Sequence, residues 1–250
     1  MRVIRSHNGG FFSNFNKVMA WLHHDPSERY YVEWQASPNF KYGPNGINLW
    51  PLFFDQLSEY ENDKLYLDRW PNKLLTFYAI KPYYTELKHR QELHAIFRQF
   101  IKVKPYILNE FEEEKARLPK GRRVALHIRA DNTADEQPNK LPISNKSIRT
   151  VRRLLRRESG TAVVFTDNLP ALAACKRWFK HMHYTDVARS PVKAIGPHES
   201  DEIKADLSLA KQVLIDAMLM AECDHLVHGV SNVASAALFM NPELEHTWIR

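Results

Sequence analysis

Cysteine is nearly absent. The two in 250 residues, Cys175 and Cys223, stand in no CxxC or Cys/His ligand spacing, which argues against a disulfide framework and a structural zinc site. Glycine is scarce as well, with 8 in the chain, so each one carries information about a turn or a close approach. No apolar run approaches the roughly 20 residues that a bilayer-spanning helix needs. The opening MRVIRSHNGG lacks the apolar core of a secretory leader, so the expectation is a cytoplasmic protein, at most peripheral to a membrane. There is no Gly/Ser linker, no low-complexity tract and no repeat of fixed period. What is present is ordinary for a globular chain: 44% apolar and 26% charged residues, with 35 Lys and Arg against 29 Asp and Glu, a net charge of +6. That length suits one large domain or two of roughly 120 residues.

The two halves read differently. In the first, a short strand (Arg2 to Arg5) is followed by His7-Asn8-Gly9-Gly10, an apolar-periodic helix from Phe11 to Leu22, and a strand from Tyr30 to Trp34. The segment from Ser37 to Trp50, dense in Pro, Gly and Asn with aromatics between, reads as an ordered loop. Helical patterning returns at Leu52 to Leu57, Thr85 to Lys102 and Pro105 to Leu118. Leu118-Pro119-Lys120-Gly121 then breaks the pattern, which divides the chain into residues 1–119 and 120–250. The second half alternates: strands at Arg123 to Ile128, Thr161 to Thr166, His183 to Thr185, His225 to His228 and Thr247 to Ile249. Between them stand helices at Lys146 to Arg157, Pro170 to Phe179, Asp206 to Glu222 and Asn232 to Phe239. Such alternation implies right-handed βαβ units, a parallel sheet, and ligand binding beyond the strand carboxyl ends.

Three polar clusters follow those strands: His127-Ile128-Arg129-Ala130-Asp131, Thr166-Asp167-Asn168 and Gly229-Val230-Ser231-Asn232. A Gly-Val-Ser-Asn turn feeding a helix suits a phosphate, and Arg129 would give the same anion a permanently charged, bidentate partner. The plainer reading makes Ser231 a helix cap and pairs Arg129 with a carboxylate. On the helix from Asp206 to Glu222, Asp216 lies at the margin of the apolar arc and needs a donor, either a bound base or a Lys or Arg from a neighbouring loop. On the helix from Lys146 to Arg157, Arg149, Arg152, Arg153, Arg156 and Arg157 span roughly 140° opposite the leucines. That face suits anionic head groups, nucleic acid, an acidic glycan, or solvent alone.

At these residues the C-terminal half resembles the donor-binding domain of fucosyltransferase-type glycosyltransferases with the GT-B fold, which include nodulation, core α1,6- and protein O-fucosyltransferases. The family's His-x-Arg-x-x-Asp motif is similar to His127-Ile128-Arg129-Ala130-Asp131-Asn132, with the aspartate one position early. Its Thr-Asp-Asp strand end is similar to Thr166-Asp167-Asn168, and its late Asp helix and Ser turn to Leu214-Ile215-Asp216 through Val230-Ser231-Asn232. The Gly-rich first loop resembles Asn8 to Asn16, and Asn48 to Phe54 resembles a segment of compact bacterial and viral surface-glycan members.

The resemblance implies an α/β, GT-B-like chain with two Rossmann-like domains, each with a parallel sheet, around an interdomain cleft, residues 1–119 serving the acceptor and 120–250 the donor. It implies transfer of a sugar, foremost fucose from GDP-fucose, to a glycan or glycolipid hydroxyl, with inversion and without a metal or other cofactor. Arg129 would hold the pyrophosphate, Asp216 the base, Ser231 and Asn232 a phosphate; His127, Asp167, Gly9, Gly10 and Asn14 would complete the donor site. The sequence has no Asp-x-Asp pair to carry manganese, and Asp131, Asp135, Glu136 and His7 all stand as candidate bases. A peripheral membrane contact through Arg149 to Arg157 is a further expectation. Two other classes compete: a noncatalytic sugar- or nucleotide-binding homologue, separated by donor hydrolysis, and a basic nucleic-acid-binding protein, which the absence of any known basic-aromatic module disfavours.

Overall fold

The computed structural model describes residues 1–7, 9–35, 46–71, 86–129, 145–189 and 207–249. Two parallel sheets organise the chain. The first runs β2-β1-β3 and comprises β1 (Arg2–Arg5), β2 (Tyr30–Glu33) and β3 (Leu65–Leu67), with helices α1 (Phe11–His24) and α2 (Trp50–Phe53) in its connections. Helices α3 (Leu87–Phe100) and α4 (Pro105–Arg117) lead to the second half. There β4 (Arg122–Ile128), α5 (Asn145–Glu158), β5 (Gly160–Thr166), α6 (Leu169–Trp178), β6 (Met182–His183), α7 (Leu207–Ala221), β7 (His225–His228), α8 (Asn232–Met240) and β8 (Glu245–Trp248) build a sheet of order β6-β5-β4-β7-β8.

That order has one reversal. From β4 the chain steps outward to β5 and β6, then returns to the other side of β4 for β7 and β8. Right-handed crossovers therefore place α5 and α6 on one face and α7 and α8 on the other. The apolar packing agrees, because successive strand residues point to opposite faces. Val124, Leu126 and Val164 pack with Ile148, Val151, Leu172 and Cys175 of α5 and α6, whereas Ala125, Phe165 and Leu226 pack with Ala210, Leu214, Ala234 and Phe239 of α7 and α8. The latter cluster continues into the first half through Phe15, Phe54 and Leu93, so α1 is buried between its own sheet and α8. Phe15 stacks on Phe239 at 6.2 Å and Trp34 meets Trp50 edge-on at 4.9 Å.

The structure is α/β with a parallel sheet in each half, the second as the alternation implies and both as the resemblance implies. Several boundaries differ from the sequence reading. The helix at Leu52 to Leu57 contracts to the single turn α2, because Phe54 bridges Val103 and the backbone N–H groups of Asp55 and Lys104 bond across that bridge. Strand β3 carries no sequence signal; its pairing with β1 creates it. Strand β8 begins at Glu245 although its residues alternate poorly, since β7 dictates the register. Residues 37–45 of the aromatic loop, and the helix starts placed at Thr85 and Asp206, lie outside the described residues. The end of that loop is held by Asn48, whose Oδ1 accepts from the Trp34 and Trp50 N–H groups and whose Nδ2 donates to the Val32 carbonyl.

Candidate active site

Ligands of open parallel sheets sit outside the strand carboxyl ends where strand order reverses. In the second sheet that place is between β4 and β7, where His127 and His228 pair in register. The chain leaves β4 through Arg129 and β7 through Gly229-Val230-Ser231, so the crevice has an arginine on one wall and a helix N-terminus on the other. Arg129 is half-buried, and among the described residues its guanidinium has no hydrogen-bond or ion-pair partner. Ser231 is buried and its Oγ accepts the Val233 N–H at 3.2 Å, so the hydroxyl caps α8 while the positive end of the helix dipole faces the crevice.

The turn is braced from both sides. The His228 Nδ1–H donates to the Gly229 carbonyl at 2.8 Å, and since a carbonyl can only accept, the neutral ring's Nε2 accepts from Nδ1–H of His246 at 3.1 Å. Burial drives the His228 pKa down to about 3. From α1, Asn16 Nδ2 donates to Asn232 Oδ1 at 3.0 Å and to Ser235 Oγ at 2.8 Å, while Asn16 Oδ1 is buried without a partner. The amide of Asn232 is thus already engaged by α1.

Across β5 the polar groups form a second nest. Asp167 is half-buried; Asn168, standing where the resemblance has a second acid, is the N-cap of α6 and accepts the Ala171 N–H at 3.0 Å. Asp216 keeps partial solvent access, yet desolvation pushes its carboxyl up to about 6 against hydrogen bonds from Gln212 (3.3 Å) and Thr185 (3.1 Å) and the charge of Arg189. Arg189 is buried, donating to the carbonyls of Thr166, Val187 and Thr185. Among the described residues Thr185 and Gln212, rather than a Lys or Arg from a neighbouring loop, donate to Asp216, and Arg189 contributes its charge. His127 lies inside β4 between Phe165 and His228.

The first sheet repeats the geometry. Its order also reverses at β1, with β2 on one side and β3 on the other. The exit from β1 is His7 and the exit from β3 is Asp68-Arg69-Trp70; the His7 and Trp70 rings lie 6.0 Å apart. Between them Lys17, fully buried on α1, donates to the carbonyls of Arg5 (2.9 Å) and Asp68 (2.8 Å). Desolvation lowers its pKa to about 8. Asn14 staples the Gly loop, accepting the His7 N–H at 2.7 Å and donating to the Gly9 carbonyl at 2.9 Å. His7 Nε2 lies 3.2 Å from Ser13 Oγ, and its pKa is lowered by burial and then by the Lys17 charge. A Cβ on Gly9 would stand 2.5 Å from His7 Cε1 and 2.7 Å from Ser13 Oγ, so that close approach requires glycine. Gly10 is the extended residue before α1.

Asn8, Asp131, Asp135 and Glu136 lie outside the described residues, as does the Arg157 side chain. Among the described residues no group of three or more His, Cys, Asp or Glu is placed to hold a metal. Sequence reasoning missed Arg189, Asn16, the His228–His246 pair and Lys17. Only Lys17 left a signal there, as the one charged residue in the helix window Phe11 to Leu22.

No protein-family model matches the chain, and no curated protein matches it in sequence. Solved structures do match it in fold. The NodZ fucosyltransferase from Bradyrhizobium aligns with a TM-score of 0.57 at 13% identity, covering 96% of this chain and 90% of that one. NodZ α-1,6-fucosyltransferase soaked with GDP-fucose aligns at 0.55 and 14%, covering 96% and 92%; the form co-crystallised with GDP aligns at 0.53 and 13%, covering 96% and 91%. The agreement spans both sheets and the connecting helices, so this chain has the GT-B-like fold of fucosyltransferase-type glycosyltransferases.

Proposed function

We propose that the protein is a glycosyltransferase that moves a sugar, most simply fucose from GDP-fucose, from a nucleoside diphosphate to a glycan hydroxyl, with inversion and without a metal. The observation that carries this reading is the switch-point crevice, where Arg129 and the N-terminus of α8 leave adjacent, register-paired strands. It is supported by the fold shared with NodZ structures that hold GDP or were soaked with GDP-fucose.

In the proposed reaction the acceptor oxygen attacks the anomeric carbon from the side opposite the nucleotide. The bond to the β-phosphate oxygen breaks, and the diphosphate departs with its added charge. Arg129 and the α8 dipole would stabilise that charge in a crevice where fixed donors need no reorganisation. Asp216, held by Thr185 and Gln212, would contribute to base recognition. Asp131, Asp135, Glu136 and His7 are the candidates to take the acceptor proton. His7 alone among them is described: its lowered pKa keeps it neutral, and thus able to accept a proton, at neutral pH. Residues 1–119 would present the acceptor and 120–250 the donor.

Calorimetric titration with GDP, with and without EDTA, tests the reading. The expected result is binding indifferent to EDTA and weakened about thirtyfold, near 2 kcal/mol, by Arg129→Ala. Absence of GDP binding, or binding unchanged by Arg129→Ala, would remove the crevice from the donor site.

A further inference from the structure

We propose that the face formed by α5 and α6 is a docking surface for an anionic lipid bilayer. The two helices lie side by side on the same face of the second sheet, as the shared core of Ile148, Val151, Leu172 and Cys175 shows. The Arg152 guanidinium stands 5.8 Å from the ring of Trp178 at the end of α6. Arg149, Arg153 and Arg156 on α5 and Arg177 on α6 are exposed, and none has a carboxylate partner among the described residues. Arginines elsewhere are treated differently: Arg2, Arg29 and Arg117 each sit within salt-bridge distance of a glutamate. A cluster of like charges on adjacent helices repels itself, so a complementary anionic surface would relieve it.

Trp178 decides which anionic surface. It is 48% exposed at the edge of the cationic face, an arrangement matched to the head-group region, where an indole rests among acyl carbonyls while guanidinium groups meet phosphates. Single-stranded nucleic acid would call for successive aromatic platforms, and this face has one exposed aromatic among its described residues. No described helix is long and apolar enough to cross a membrane, so the contact is superficial. Both helices run opposite to the strands. Their C-terminal halves, with Arg153, Arg156 and Trp178, therefore lie away from the crevice at Arg129, which stays open when the face is occupied.

The test is co-sedimentation of the full chain with vesicles of phosphatidylcholine alone and of equal parts phosphatidylcholine and phosphatidylglycerol. Binding to the mixed vesicles is expected, with Trp178 fluorescence, isolated by comparison with Trp178→Ala, quenched by brominated phosphatidylcholine. The combined variant Arg149→Glu, Arg153→Glu, Arg156→Glu is expected to weaken binding by at least roughly a hundredfold. Circular dichroism and GDP titration of both variants check that the fold persists. Equal association with both vesicle types, unquenched Trp178, or unchanged binding by the charge-reversed chain overturns the proposal. So does tighter binding to an oligonucleotide than to the mixed vesicles at the same ionic strength.

Discussion

Single side chains set the chemistry on both sheets, and their titration is open to measurement. Lys17 is the clearest case. Its native pKa of about 8 lies below the unfolded value of 10.5, so within that window the unfolded chain binds more protons and stability rises with pH. Urea midpoints taken from pH 8 to 10 are expected to climb, and Lys17→Met is expected to flatten the climb. Asp216 has the opposite sign. Its carboxyl, pushed up to about 6 from 3.8, makes the native state the greater proton binder between those values, so stability falls as pH rises through them. Asp216→Asn should therefore raise the melting temperature more at pH 7 than at pH 4, and if Asp216 reads the base it should weaken GDP binding in the same samples. Gly9→Ala would force a Cβ against His7 and Ser13; loss of transfer activity with little loss of GDP affinity is expected, because the displaced groups belong to the first sheet. Residue type and position singled out Arg129 at a strand end and Asp216 at the margin of an apolar helix face. The partners did not show: Arg189 reaches the carbonyl of Thr166, in another element, by chain folding that no spacing encodes.

Elements were legible where periodicity and caps agree. Helix α8 starts at Asn232 because Ser231 caps it, and Ser231→Ala is expected to cost about 1 kcal/mol in urea unfolding. Helix α6 starts after Asn168 for the same reason, with Pro170 in its first turn. Strand β7 is Leu226-Val227 flanked by two histidines, with both ends where the sequence places them. Its last residue gives the element an acid sensitivity. With a native pKa of about 3, His228 stays neutral while the unfolded side chain protonates below about 6.5, so stability is lost as pH falls between those values. His228→Gln should shift the acid-unfolding midpoint to lower pH while keeping a donor for the Gly229 carbonyl. Elements made by tertiary pairing were not legible. Residues Leu65–Leu67 become β3 because β1 offers a free edge, and α2 stops after Phe53 because Val103 captures Phe54.

At the scale of the molecule, one apolar cluster joins α1, α3, α7 and α8, so the two sheets share a core across the Pro119–Lys120 division. A single cooperative thermal transition is expected by calorimetry, and Phe15→Ala, which empties the stack on Phe239, should cost about 3–5 kcal/mol and lower that one transition without splitting it. Two separated transitions would show instead that residues 1–119 and 120–250 unfold independently. The amino-acid sequence by itself determined the class of the fold, since alternating strands and helices with right-handed crossovers leave few topologies, and it determined which polar clusters end the strands. It also set the cationic face of α5, because spacing along a helix is local geometry. Tertiary structure alone decided the strand order that puts Arg129 beside the Ser231 turn, the burial that shifts Lys17, Asp216 and His228, and the bond from Asn16 to Asn232. The physical reason is range: propensity, capping and periodicity act over a few residues, whereas desolvation and strand pairing depend on groups far apart in the chain.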